Sequence, residues 1–402
     1  MTPTNSHIEG LQQMRLRRAV LAGLAAALAF ANITMAGQAI AQTSAAPAAK
    51  APAAVAKATP DDTARVLGGL APSAGSPLEA FTKEASWQSH SKYFNTAWSQ
   101  LSVRQLSKIK AWSAKHVPNR KPVLFYMFSG PDFLYADAFF DGASTYVLSG
   151  LEPVGQVPDL TLLTPRAFGG ELRGLQNSLN SVLSYSFFIT KKMKTQLRDG
   201  QLTGTLPILY TFLARSGKTI KETTLVSLNT DGTVTPLNGE LPKGASPGAK
   251  IQFSSGSGPD KTLYYFNTDL SDGGLKASGF LAFCKGLGEG DSFVKSASYL
   301  MHSDNFSMVR SFIVENSGTL VQDDSGVPVR FLEESAWRLE PYGRYLRPLG
   351  IFPRAYQPKM QELFAKGRAT PIDFGVGYRW RPNESNLLVA VRTSAARAEA
   401  KP

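Results

Sequence analysis

Residues 122–150, PVLFYMFSGPDFLYADAFFDGASTYVLSG, contain the pattern that decides the fold. They open with a run of seven apolar residues, 122–128, which is typical of a strand buried on both faces of a sheet. A turn at 129–132 follows, and residues 133–140 have the composition of a short helix that begins beside an aspartate. A second short strand, 145–148, comes next. Strand, helix and strand within about 30 residues predict a parallel βαβ unit.

Helical periodicity flanks this unit on both sides. Apolar residues recur at intervals of three and four over 78–117 and, most clearly, over 170–198. Shorter helices are predicted at 207–215, 291–301, 305–316 and 357–366. Antiparallel hairpins are predicted within 219–266, and further short strands at 319–322 and 372–378. This order predicts an α/β or α+β fold, in which helices flank a mixed sheet and antiparallel hairpins occupy the middle of the chain.

The first 41 residues contain the three parts of a secretory signal peptide. Arg15, Arg17 and Arg18 precede an apolar run over 19–33, and Ala39-Ile40-Ala41 has the small-x-small form of a cleavage site. The alternative is an uncleaved anchor, but polar residues interrupt the run before it reaches the ~20 apolar residues of a spanning helix. We expect cleavage, no transmembrane segment after it, and a periplasmic or secreted protein.

The remaining chain divides into a tether, one domain and a tail. Residues 42–62 are rich in Ala, Pro and Thr without apolar periodicity, which predicts a disordered tether. Residues 63–392 are long enough for one globular α/β domain with a sizeable core and a possible sub-boundary near 240. Residues 393–402 form a loose tail. The single cysteine, Cys284, excludes an internal disulfide, and its apolar neighbours predict that it is buried.

The chain is basic, but its charges are dispersed. Of the net charge of +12, +10 remains after residues 1–41 are removed. The densest basic run, 191–198, is interpreted as a solvated helix end, so nucleic-acid binding is not expected. An anionic envelope component or a protein partner is the candidate partner. We find no metal-ligand cluster, phosphate-binding loop or dinucleotide fingerprint, and therefore expect no metal or cofactor.

Ser129 is the candidate nucleophile, because it follows a buried strand where open α/β sheets carry their reactive groups. The residues around it do not form the nucleophile-elbow pattern. A serine nucleophile needs a base. Among His90, His116 and His302, we choose His302, and Asp132 completes the candidate catalytic set. The alternative is that Ser129 shapes a turn or caps a helix.

Acidic residues form two further candidate sites. Asp132, Asp137 and Glu152 follow neighbouring predicted strands, and in one crevice they would bind a cation or act as acid and base. Asp323 and Asp324 follow a later strand, in a turn where paired carboxylates bind hard cations. Helix capping, a surface position or ordinary hairpin chemistry is the alternative for both sets.

Two stretches crowd aromatic residues together. One surrounds Tyr135, and the other, 337–356, also contains Arg344 and Arg347. Aromatic residues beside arginine are frequent in binding pockets, although a plain core is the alternative. Tyr135, Arg344 and Arg347 therefore join Asp137, Glu152 and the 323–324 pair as candidate ligand-binding residues.

Residues 125–137, with 150–153 downstream and 322–328 later in the chain, resemble sequences of uncharacterised exported bacterial proteins. The resemblance covers most of 80–380. It implies a bacterial, exported origin, with a Gram-negative source if the location is the periplasm, and it brings no activity. Two functions remain open: a non-catalytic binding or cell-envelope accessory protein, and a secreted hydrolase that uses Ser129 or a carboxylate pair.

Overall fold

A mixed sheet of ten strands crosses the described part of the chain, which in this computed structural model comprises residues 58–117, 119–185, 202–366 and 369–393. The strands are β1 Val123–Tyr126, β2 Thr145–Gly150, β3 Lys218–Leu228, β4 Val234–Pro236, β5 Ser246–Ser255, β6 Lys261–Asn267, β7 Gly290–Val294, β8 Ser317–Gln322, β9 Trp337–Gly343 and β10 Asn386–Arg392. Their order is β4-β3-β5-β6-β2-β1-β7-β8-β10-β9. The predicted mixed α/β sheet is thus confirmed.

The five central strands are parallel and form a doubly wound sheet. β6, β2, β1, β7 and β8 are neighbours in that order, and each adjacent pair is parallel. From β1 the chain builds outward through β2 and β6, then returns to build the other side through β7 and β8. The order in which successive strands are added therefore reverses between β1 and β7. In open α/β sheets such a reversal opens a crevice at the carboxyl ends of the strands.

Helices cover both faces of this sheet. The helices of the described residues are α1 Pro60–Leu67, α2 Ala85–Leu101, α3 Ser107–His116, α4 Phe133–Phe139, α5 Pro165–Tyr185, α6 Leu206–Arg215, α7 Asp272–Ala277, α8 Phe280–Gly286, α9 Ser307–Asn316 and α10 Pro358–Lys366. In β1, Leu124 and Tyr126 contribute to the core beneath α1–α6, whereas Val123 and Phe125 contribute to the core beneath α7–α10. Because successive strand side chains point to opposite faces, a strand covered on both faces is apolar throughout.

The predicted βαβ unit is present. β1 and β2 pair in parallel, with Val123 opposite Thr145, and α4 lies between them in the chain. Asp132 caps α4, because its Oδ1 accepts a hydrogen bond from the Tyr135 amide at 3.2 Å. The predicted hairpins of the middle region are also confirmed, since β5 is antiparallel to both β3 and β6.

The predicted helices have mixed outcomes. Those at 207–215, 305–316 and 357–366 correspond to α6, α9 and α10. The helix predicted over 170–198 corresponds to α5 as far as Tyr185, and its basic end at 191–198 lies outside the described residues.

The helix predicted over 291–301 is wrong, because β7 occupies its first half. Phe293 and Val294 enter opposite cores, and β7 pairs with β1 and β8 on its two edges. Strand pairing therefore overrides the local periodicity. The strand predicted at 372–378 is also wrong, since the antiparallel edge is built by β9 and β10 instead.

Residues 60–62, which composition assigns to the tether, form the first turn of α1 instead. Both acidic residues of this turn bind the rest of the domain: Asp61 Oδ1 accepts from the Ile220 amide at 2.9 Å, and Asp62 Oδ1 accepts from the Ser73 amide at 2.7 Å. Residues 1–57, with the predicted signal peptide and most of the tether, lie outside the described residues, as does nearly all of the tail.

Two further findings concern single features of the described residues. Cys284 is fully buried, as its apolar neighbours predict, and burial raises the pKa of its thiol well above the ordinary value. No helix within the described ranges combines the length and the apolar character needed to cross a bilayer.

Candidate functional site

A cavity of about 340 Å³, here called the carboxyl-end cavity, opens where the parallel strands end. It is lined by segments that follow β1, β2, β6 and β7, so it lies at the reversal of strand order. This is the place where open α/β sheets bind their ligands. The lining residues are Tyr126, Phe128, Ser129, Gly130, Asp132, Gly150, Leu151, Glu152, Thr268, Asp269, Leu270, Lys295, Ser296, Ala297, Ser298, Leu300 and Phe306.

A buried ion pair forms part of this lining. Lys295 Nζ lies 2.8 Å from Asp132 Oδ2, and the two side chains are only 2% and 1% exposed. The same oxygen accepts a hydrogen bond from the Tyr126 hydroxyl at 2.8 Å. Burial and the charge of Asp132 raise the pKa of Tyr126 well above its ordinary value, so the phenol stays protonated and donates. Because both oxygens of Asp132 accept hydrogen bonds from the protein, we assign this carboxylate to positioning Lys295.

The ammonium of Lys295 also contacts an aromatic ring. It lies 4.4 Å from the centre of the Tyr135 ring, within the range of a cation–π interaction. The Tyr135 hydroxyl donates in turn to Gln105 Oε1. Tyr135, a candidate ligand-binding residue, does not line the cavity. Its ring instead contacts the ammonium of Lys295.

Glu152 is a second buried carboxylate in the lining, with 3% of its surface exposed. Its backbone carbonyl accepts hydrogen bonds from Tyr265 Oη and Asn267 Nδ2, both at 2.8 Å. Its carboxylate lies against two glycines. A Cβ added to Gly150 would come within 2.3 Å of Glu152 Oε2, and one added to Gly130 within 3.3 Å. The space for this carboxylate therefore depends on glycine at both positions.

Left-handed backbone conformations concentrate around the cavity. Among the described residues, six non-glycine residues have positive φ, and four of them are at this site: Phe128 (59°), Ser296 (53°), Ser298 (51°) and Tyr299 (55°). Such conformations cost ~1–3 kcal/mol each and persist only where surrounding contacts impose them, which is typical of ligand-binding and active sites.

Asp323 and Asp324 impose part of this strain on the 295–299 loop. Asp323 Oδ2 accepts from the Ser296 amide at 2.9 Å, and Asp324 Oδ2 accepts from the Tyr299 hydroxyl at 2.8 Å. Burial raises the pKa of both carboxyls, and the neighbouring charge of Asp323 helps to raise that of Asp324 to about 7. Both remaining oxygens also accept hydrogen bonds from the protein. The pair therefore acts as a support for the loop.

The structure brings no group of three or more His, Cys, Asp or Glu side chains into a metal-binding arrangement within the described ranges. The cation site predicted for the 323–324 pair has no further ligand of these types there.

Ser129 lies in the cavity lining, but its hydroxyl forms hydrogen bonds with backbone groups. Ser129 Oγ accepts from the Ser149 amide at 3.1 Å and lies within donor distance of two carbonyls, 2.9 Å from Gly130 and 3.2 Å from Ser149. These bonds tie the end of β1 to the end of β2. Ser129 thus shapes the turn, which is the alternative that the sequence left open.

The structure does not bring a described histidine to Ser129. His302 lines a separate cavity of about 440 Å³ beside Phe352, and burial lowers the pKa of His302 to about 4. His116 Nδ1 pairs with the Tyr342 hydroxyl at 3.0 Å. The predicted serine–histidine pair is not formed, because β7 and the loop after it direct His302 into the other cavity.

Both ring nitrogens of His90 form hydrogen bonds with groups other than Ser129. Its Nε2 donates to the Leu67 carbonyl at 2.7 Å, and its Nδ1 accepts from Gln176 Nε2 at 3.0 Å. Both nitrogens are thus satisfied in the neutral ring, and burial lowers the pKa of His90 to about 4.

The other candidate ligand-binding residues also lie outside the lining. Asp137 is buried in α4 and pairs with Lys218 at 2.7 Å and Lys110 at 3.3 Å. Arg344 and Arg347 are exposed in the segment after β9, where the Arg347 guanidinium lies 5.2 Å from the centre of the Tyr356 ring. Of the predicted site residues, the cavity therefore gathers Ser129, Asp132 and Glu152.

Sequence reasoning missed Lys295 and the loop that follows it, because 291–301 was predicted as a helix. The turn residues Gly288 and Gly290, followed by Phe293-Val294, are the signal that favours a strand there. Recognised as a strand, β7 would have placed Lys295 at the same sheet edge as Asp132.

The site therefore combines a cavity at the reversal of strand order, a buried Asp132–Lys295 pair, a buried Glu152 and a strained loop. No protein-family model, no curated protein and no solved structure matches the chain.

Proposed function

We propose that this chain is an exported protein that binds a small polar molecule in the carboxyl-end cavity. The observation that carries the proposal is the cavity itself, at the reversal of strand order, with the buried charged groups of Asp132, Glu152 and Lys295 in its lining. Buried charges are costly to maintain, and a site that retains three of them is suited to recognising a polar ligand. Export is proposed from the basic, apolar and small-residue pattern of residues 15–41.

Binding fits the geometry better than serine hydrolysis does. The Ser129 hydroxyl forms hydrogen bonds with backbone groups. His302, the predicted base, lines a separate cavity. The left-handed conformations of two lining residues, Phe128 and Ser296, support a preformed pocket.

A fragment screen by ligand-observed NMR tests the proposal. Leu151 lines the cavity and is 51% exposed, so Leu151→Trp narrows the entrance at a position that tolerates bulk. Leu162, 73% exposed and outside the lining, provides the matched control Leu162→Trp. We expect fragments that bind the native chain and the control to lose binding to Leu151→Trp. Fragments that bind all three proteins equally, or a screen without any binder, would contradict the proposal.

A carboxylate-dependent hydrolase is the second candidate, favoured by the presence of Asp132 and Glu152 in the same cavity lining. In that case Glu152 is the candidate base, because its carboxylate is buried in the cavity lining. Turnover of a chromogenic ester or glycoside that is abolished by Glu152→Gln and unaffected by Ser129→Ala supports this candidate. Turnover that survives Glu152→Gln removes it.

A further inference from the structure

We propose that the ligand of the carboxyl-end cavity carries a protonated amine beside an apolar or aromatic group. This inference rests on the proposed function and adds the chemical class of the ligand. The amine is recognised by the acidic lining around Glu152, and the apolar group contacts the phenylalanine pair described below.

The charge of the lining is the first argument. The cavity is lined by three carboxylates, those of Asp132, Glu152 and Asp269, and by a single ammonium, that of Lys295. Lys295 pairs with Asp132 at 2.8 Å, so the lining as a whole remains negative. The chain around it has a net charge of +12, so this negative site is a local feature. Such an excess of negative charge attracts a cation and repels an anion, most strongly at the buried Glu152.

The apolar wall is the second argument. Phe128 and Phe306 line the cavity, with ring centres 5.9 Å apart in an edge-to-face arrangement. Leu270 and Leu300 extend this wall. Aromatic rings bind apolar groups, and their faces attract adjacent cations. A ligand with an ammonium at one end and an aromatic or aliphatic body therefore matches both parts of the lining.

The size of the cavity provides a third argument. The volume of about 340 Å³ lies near the lower end of ligand pockets, which favours a compact molecule.

The test uses three probes that share a hydroxyphenyl ring and differ in their terminal group. Tyramine ends in an ammonium, tyrosol in a hydroxyl and 4-hydroxyphenylacetate in a carboxylate. Calorimetric titration of the full chain at pH 7 is expected to give tyramine an affinity at least about tenfold above that of tyrosol, with no binding of the acid.

Two variants with the same chemical change locate the effect. Glu152→Gln removes the buried charge at nearly constant shape, and we expect it to abolish the preference for tyramine over tyrosol. Asp269→Asn makes the same change at an exposed lining residue whose carboxylate accepts hydrogen bonds from Ser271, and we expect the preference to persist. If Glu152→Gln does not fold, the relative affinities of the three probes for the native chain test the inference by themselves.

Three results contradict the inference, and they can be distinguished from one another. If the acid or the alcohol binds as well as the amine, and Leu151→Trp blocks that binding, the amine assignment fails while the proposed function stands. If neither the probes nor any fragment binds the cavity, both fail. A preference for tyramine that survives in Glu152→Gln also contradicts the role given to Glu152.

Discussion

Removal of the Lys295 ammonium is expected to destabilise the protein through the partner that it leaves behind. Lys295→Met preserves the length of the side chain and its packing over the Tyr135 ring, but it leaves the Asp132 carboxylate 1% exposed without its cation. The hydrogen bonds from the Tyr126 hydroxyl and the Tyr135 amide remain. The perturbation therefore measures the cost of an uncompensated buried charge together with the loss of the cation–π interaction with Tyr135.

The magnitude follows from the burial of both partners. Breaking a buried ion pair by removing one member costs ~3–5 kcal/mol, whereas replacing both members by neutral groups is often close to neutral. Asp132→Asn removes the other charge and retains the helix cap, because asparagine caps about as well as aspartate. We expect each single variant to lose ~3–5 kcal/mol, and the double variant to lose less than the sum by at least ~2 kcal/mol.

Urea unfolding of the full chain at pH 7, followed by circular dichroism, measures these free energies. The exposed pair Lys221–Asp260, with side chains 49% and 55% accessible, provides the control, and Lys221→Met is expected to cost no more than ~1 kcal/mol. Additive single variants that each lose less than ~1 kcal/mol would refute the view that the Asp132–Lys295 pair is buried and coupled.

Three further predictions concern other parts of the chain. Gly150→Ala is expected to lose ~1–3 kcal/mol in urea unfolding, because its Cβ would displace the Glu152 carboxylate. His90, with its pKa lowered to about 4, contributes stability that is complete above pH 6.5 and lost as the pH falls towards 4, by ~3 kcal/mol in all. NMR titration of the ring measures this pKa. Mass spectrometry of the exported protein is expected to show cleavage after Ala41.

Each of these has a contrary outcome. The control is Gly170→Ala, because a Cβ at Gly170 meets open space. If Gly150→Ala is as stable as the native chain, the Glu152 carboxylate is not confined by Gly150. A His90 ring that titrates near pH 6.5 would contradict its buried, neutral state. If mass spectrometry of the exported protein shows an intact N-terminus, the uncleaved anchor is favoured instead.

The βαβ unit and the acidic half of the site were accessible to sequence reasoning. A continuous apolar run, a Ser-Gly-Pro-Asp turn and a short second strand predict β1, α4 and β2, and they place Asp132 and Glu152 at the carboxyl ends of neighbouring strands. The Ser129–His302 pairing failed because it joined two distant loops by residue type alone. Nothing local records that His302 enters a different cavity.

The sequence by itself determined the elements with strong local signals, such as the buried β1 strand, the amphipathic α5 helix and the cap of α4 by Asp132. Only the tertiary structure decided that 290–294 is a strand, that this strand lies beside β1, and that Lys295 therefore meets Asp132. The physical reason is the range of the interactions. Periodicity and capping act within one or two turns of chain, whereas strand order and burial depend on pairing between segments far apart in sequence.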